Sequence, residues 1–167
     1  MLNLVLLAVF PGMMALAAST DLLTLTIPNR VSSALVLAYF ALAIALRAPP
    51  QDVLLNVSCA ATVLSAMFLM FSLGWIGGGD AKLAAATALW LGWASILDYG
   101  VTAALCGGAL TLAILAIRFT RLPAFLEKRS WLARLKEKSA CVPYGIALAA
   151  AGLIQIPHTK IWASAIA

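Results

Sequence analysis

Residues 53–75 read VLLNVSCAATVLSAMFLMFSLGW, and no charged side chain interrupts them. Crossing the hydrocarbon core of a bilayer takes roughly 20 apolar residues in a helix, so Val53 to Trp75 is long and apolar enough to do it. The neighbouring stretches follow suit. Upstream lies Val31 to Leu46, ended by Arg47-Ala48-Pro49-Pro50, and before it Leu2 to Thr20, closed by Asp21. Downstream, the break Gly77-Gly78-Gly79-Asp80 leads into Ala81 to Leu97. A turn at Asp98-Tyr99-Gly100 then separates that span from Val101 to Ile117. After a polar segment from Arg118 to Cys141, Val142 to Ile156 forms the last span. The expectation is an all-α, polytopic integral membrane protein of about six transmembrane helices, with a seventh only if Ile161 to Ala167 dips into the membrane.

Composition agrees. Of 167 residues, 64% are hydrophobic and only 10% charged, with a mean hydropathy of +1.04. A soluble domain of this size has too little interior to hide that much apolar surface. No low-complexity tract or linker composition marks a second domain, so residues 1–167 read as one membrane domain. The net charge of +5 falls mostly in one segment beside the membrane. Attraction to anionic lipid headgroups explains it there, and no nucleic-acid partner is expected. Cys59, Cys106 and Cys141 form no CxxC pair, which argues against a zinc or redox motif. They read as small apolar residues near helices. No basic residue precedes Arg30, so the first span lacks the positive start of a cleavable signal.

Orientation follows from the basic residues. The loops after spans one, three and five hold Arg30, Lys82, Arg118, Arg121, Lys128, Arg129, Arg134, Lys136 and Lys138, nine in all, against Arg47 and Lys160 on the other side. The positive-inside rule places those three loops in the cytoplasm and both termini outside. Leu122 to Lys138 mixes Phe125, Trp131 and leucines with its charges and is expected to lie in the membrane interface. Trp75, Trp90, Trp93 and Trp162 read as interfacial anchors.

Six acidic residues are present. Glu127 and Glu137 sit among basic residues, Asp52 reads as a helix N-cap, and Asp98 belongs to the expected turn. Asp21 and Asp80 are harder to explain by structure alone. A carboxylate at the end of an apolar run costs energy and usually faces the protein interior or water. Asp80 would serve as an N-cap, but three glycines precede it. Gly77, Gly78 and Gly79 remove every side chain from the approach to the carboxylate and admit positive φ and a close peptide backbone. Two carboxylates brought together in a low-dielectric site cannot both ionise easily, so one acts as acid and the other as base. Such a pair can draw a proton from water and direct it at a peptide carbonyl. This chemistry calls for no metal and no cofactor. His158, the only histidine, reads as a solvated residue near the outer C-terminus.

Asp21 upstream of Ile27-Pro28-Asn29, followed by Gly77-Gly78-Gly79-Asp80-Ala81-Lys82 at the start of a later span, resembles the type IV prepilin peptidases. Their pattern is a first Asp before an Ile-Pro-Asn turn and a second in Gly-x-Gly-Asp. Pro143-Tyr144-Gly145 at the opening of the last span is also similar to the family. The resemblance implies that Asp21 and Asp80 remove the leader of pilin-like precursors at the cytoplasmic face of a bacterial inner membrane. Pro28 and Asn29 would shape the turn between spans one and two, and Lys82 would pair with a carboxylate or a lipid phosphate. Larger family members carry a tetracysteine insertion and two more helices, and they also methylate the product. This chain has neither feature and resembles the compact form of tight-adherence (Flp) pili, without methyltransferase activity. The Gly107-Gly108 pair is taken as close helix packing.

Two other readings compete. Presenilin-like intramembrane proteases share Gly-x-Gly-Asp but carry Tyr before the other aspartate, where this chain has Thr20. A small proton- or cation-coupled transporter would use the same two aspartates, but it predicts helices broken at the membrane midplane. Oligomeric state is not legible in the sequence.

Overall fold

The computed structural model describes residues 2–119 and 142–166, all built on helices among those residues. The helices are α1 (Leu2–Thr24), α2 (Asn29–Ala45), α3 (Pro50–Ser72), α4 (Gly78–Phe119), α5 (Tyr144–Gln155) and α6 (Lys160–Ile166), with a 3₁₀ turn, Ile156–His158, before the last. The interfacial segment expected at 118–141 lies outside the described residues, apart from its first two, which end α4. Cys141 lies outside them too.

Three helices are long and apolar enough to cross a membrane: Leu7–Thr24, Pro50–Ser72 and Gly78–Phe119, with Asn29–Ala45 a shorter apolar one. Their surfaces point the same way. α3 buries only Cys59, while Leu37, Ile44, Phe68, Leu97 and Leu105 are each more than 60% exposed. Water would make this costly at roughly 25 cal/mol per Å² of apolar surface, whereas lipid makes it favourable. The chain is an all-α membrane protein.

At 42 residues, α4 would be about 63 Å long if straight, twice the hydrocarbon thickness. It bends at Gly92 (φ 65°, ψ −177°). The sequence reading placed this division at Asp98-Tyr99-Gly100, but helix runs unbroken through those residues. The reason is tertiary. Asn56 of α3 presses against Gly92 so closely that a Cβ there would collide with its Oδ1. The first limb, residues 78–91, runs antiparallel to α3, with Gly78 against Phe71 at one end and Gly92 against Asn56 at the other. The second limb, residues 93–119, turns back, so that Gly107 meets the Tyr144 ring at the start of α5. A Cβ on Gly108 beside it would meet nothing within 4 Å, so only Gly107 serves the close packing expected of the pair. α6, at seven residues, is too short to cross.

The core centres on Trp90, which is fully buried. Its ring packs on Phe10 (centroids 5.1 Å apart) and Tyr39 (5.9 Å), and its Nε1 donates to the Leu35 carbonyl at 2.9 Å. An interfacial role for Trp90 is therefore overturned, because the indole N–H finds its partner inside the bundle. Trp75 and Trp93 remain exposed.

Candidate active site

α1 does not stop at Asp21. It continues to Thr24, where Leu25 takes a left-handed φ of 54° and donates its N–H to the Asp21 carbonyl at 2.9 Å. Asp21 thus lies in the last turn of the helix and is only 5% exposed. The Gly145 N–H, at the start of α5, donates to Asp21 Oδ2 at 2.7 Å. A helix N-terminus aims its free N–H groups and its dipole at such an acceptor. A Cβ on Gly145 would come within 2.8 Å of the same oxygen, so only glycine allows this approach.

Asp80 is not an N-cap either. α4 begins at Gly78, which makes Asp80 its third residue, and its carboxylate reaches back to the Gly77 N–H. This is the returning arm of a capping box. The two carboxylates are close enough for their charges to interact. Tyr144, on α5, also lies within electrostatic reach of Asp80 and donates its hydroxyl to the Ala103 carbonyl at 3.3 Å. Asp52 occupies the same third position, on α3, at the far end, though its N-cap, Pro49, has no N–H for the carboxylate to reach. It is not a cap itself, and faces Lys160 at 3.6 Å.

The three glycines do different work from that expected. None has positive φ; the positive-φ glycines among the described residues are Gly74 and Gly92. A Cβ on Gly77 would lie 3.0 Å from Asp80 Oδ2, so that position does keep the carboxylate uncovered. Gly78 instead admits the Phe71 ring, and Gly79 admits Ile27, whose Cβ would be 3.1 Å away. Ile27 also sits against Gly145, its Cδ1 2.7 Å from where a Cβ would be. One buried side chain from the Ile27-Pro28-Asn29 turn is therefore wedged between the glycine beside Asp80 and the glycine that holds Asp21. Pro28 precedes α2 with φ −63° and ψ 139° and makes the turn. Lys82 donates to Asn29 Oδ1 at 2.9 Å, so its partner is the turn and not a carboxylate.

Sequence reasoning named both aspartates but missed Ile27 as a spacer and Gly145 as a donor. Pro143-Tyr144-Gly145 was the available signal. No group of three His, Cys, Asp or Glu that could hold a metal occurs among the described residues. A cavity of about 520 Å³ between Asp52, Trp93 and Lys160 lies at the opposite end of the bundle from the carboxylates.

Two aspartates from separate helices, gathered at one end of an apolar bundle, set the stage for the comparison with known proteins. A sequence model of the Type IV leader peptidase family matches residues 8–117. The chain belongs to that family. Membership implies an aspartic-type peptidase of the prepilin leader class. The matched stretch contains most of α1, all of α2 and α3, most of α4 and both aspartates, while α5 with Gly145 falls beyond it. No curated protein and no solved structure matches the chain.

Proposed function

We propose that this leader peptidase removes the leader of pilin-like precursors at the cytoplasmic face of a bacterial inner membrane, with Asp21 and Asp80 as the acid–base pair. The observation that carries the reading is that Asp21, buried and anchored by an N–H, and Asp80, on a different helix, lie within electrostatic reach of one another. One carboxylate draws a proton from a water molecule, which attacks the peptide carbonyl. The other gives its proton toward the carbonyl oxygen, and the bond to the leader breaks as the amine leaves. The excess of basic residues in the loops at this end supports the cytoplasmic side, with both termini outside. The absence of paired cysteines supports a compact, tight-adherence type of enzyme without methyl transfer.

The test is conversion of precursor to mature pilin in cells making each variant at matched levels. Asp21→Asn and Asp80→Asn should each lower processing by roughly 10³-fold or more, and the double variant should be no worse, because the pair acts as a unit. Asn preserves helix-end hydrogen bonding, so both proteins should remain in the membrane. Asp98→Asn, exposed on the second limb of α4, should process normally. Normal processing by Asp80→Asn would leave that carboxylate with a capping role alone and end the peptidase mechanism.

A further inference from the structure

α5 supplies no carboxylate, yet the Gly145 N–H at its start holds Asp21 Oδ2 at 2.7 Å. The two faces of this helix show what sets the position of that N–H. Gly145 and Gly152 stand about 20° apart around the axis, at roughly 100° per residue. At both, the missing side chain lets α5 come close to its neighbours, Asp21 and Ile27 at the first and Phe10, Met14 and Thr87 at the second. The neighbours at Gly152 are side-chain carbons and a sulfur, which permit close approach without fixing a height.

The other face does fix it. Tyr144 and Gln155, also about 20° apart, both reach the second limb of α4. Gln155 Nε2 donates to Thr102 Oγ1 at 3.1 Å, and the Tyr144 hydroxyl donates to the Ala103 carbonyl at 3.3 Å. Gly107 makes the second contact possible. It lies about one turn beyond Ala103, and a Cβ there would collide with the Tyr144 ring and come within 2.8 Å of its hydroxyl. The ring therefore sits in a notch that only glycine leaves open. Pro143 behind it is fully buried with φ −70°, so the chain entering α5 has little freedom of its own. The peptide that joins Tyr144 to Gly145 carries the N–H that Asp21 accepts. We propose that Tyr144 is a positioning residue for Asp21: its ring, seated at Gly107, fixes the height and rotation of α5 and so the aim of the Gly145 N–H. This rests on the peptidase reading, and it brings the second limb of α4 into the site at one remove.

The test uses the full chain purified in detergent, with the precursor whose processing is measured above, and separates kcat from KM. Tyr144→Leu keeps an apolar, helix-favouring side chain and removes the ring. It should lower kcat about 10- to 100-fold, the range for a misplacement of about 1 Å at a reacting group, and leave KM within about twofold. Tyr144→Phe keeps the ring and should retain kcat within about threefold, the loss of one long neutral hydrogen bond. Gln155→Ala breaks the other contact of the same face, some 15 Å along the helix from Gly145. It should lower thermal stability and leave kcat unchanged. Tyr144→Leu combined with Gly145→Ala should cost no more than the larger of the two alone, because both act on the same N–H. Gly107→Ala unseats the ring from the opposite helix and should lower kcat by the same order, which keeps the test open if Tyr144→Leu does not accumulate. A normal kcat for Tyr144→Leu or Gly107→Ala would overturn the assignment. So would an equal loss of kcat from Tyr144→Phe or Gln155→Ala, or losses that multiply in the double variant. If the unsubstituted chain leaves the precursor uncut, the peptidase reading falls and the assignment with it. If it cuts normally while any of those results is found, only the assignment of Tyr144 falls.

Discussion

Gly145 is held to glycine by its surroundings rather than by its own backbone. Its N–H must reach Asp21 Oδ2, and a Cβ would crowd both that oxygen and the tip of Ile27. Gly145→Ala should therefore push α5 away from α1 and lower processing about 10- to 100-fold, the range for a misplacement of about 1 Å at a reacting group. Membrane levels should hold, since overpacking of this kind costs about 1–3 kcal/mol. Gly108→Ala is the comparison. It has open space around it in the same bundle and should process normally, with a gain of up to about 1 kcal/mol in helix stability. Processing assays and thermal unfolding in detergent on the two variants separate a loss of site geometry from a general cost of replacing glycine. The carboxylates themselves were legible in the sequence, because an ionisable group inside an apolar run has few structural explanations. Their supports were not. Every residue but proline carries an N–H, and nothing local distinguishes the one at Gly145 as the donor.

At the scale of elements, the apolar runs predicted the helices well and their ends less well. α1, α2 and α3 fall within a few residues of the expected spans, because a long apolar run that no charge interrupts is decisive for a helix whatever its neighbours. The division of α4 was misplaced. Asp98-Tyr99-Gly100 has the composition of a turn, yet it is helical, while Leu91-Gly92-Trp93 sits inside an apolar run and carries the bend. What decides between them is Asn56, on another helix, which leaves room only for glycine at 92. Asn56 in turn is held by its Nδ2, which donates to the Tyr39 hydroxyl at 2.9 Å. With φ 65° and ψ −177°, Gly92 occupies a region that L-residues with side chains scarcely enter, at a cost on the order of 1–3 kcal/mol. Gly92→Ala should destabilise by at least that much, with the collision against Asn56 added. Gly92→Ala with Asn56→Ala should be less destabilised than the two single effects combined, because the second change removes the collision and leaves the dihedral cost. Thermal unfolding in detergent across the four proteins of this cycle measures the difference.

For the molecule as a whole, the arrangement ties chemistry to sidedness. Both carboxylates lie at one end of the bundle, and the Asp52–Lys160 pair lies at the other. On the positive-inside count of nine basic residues after spans one, three and five against two elsewhere, a reporter active only outside the cytoplasm should stay dark when fused at Lys128 and light up at the C-terminus. The reverse pattern would put the carboxylates on the outer face, where a cytoplasmic leader cannot reach them. The sidedness expected here comes from charge counting alone, since an asymmetry of nine against two is a whole-chain property of the sequence, and the reporter fusions are its test.

The bond from Gly145 to Asp21 joins residues 124 positions apart, and the chain between Phe119 and Val142, which lies between them, carries neither carboxylate. In genetic terms, the active centre is shared between two separable pieces. A gene cut between Phe119 and Val142 would encode one polypeptide with both aspartates and the whole matched family segment, and a second with α5 and α6. The first alone should be inert despite carrying both aspartates and the whole segment that the family model matches. Expressed together, the pieces should complement one another and restore some processing. An allele of the short piece bearing Gly145→Ala should complement at least tenfold less well, on the same expectation as in the intact chain.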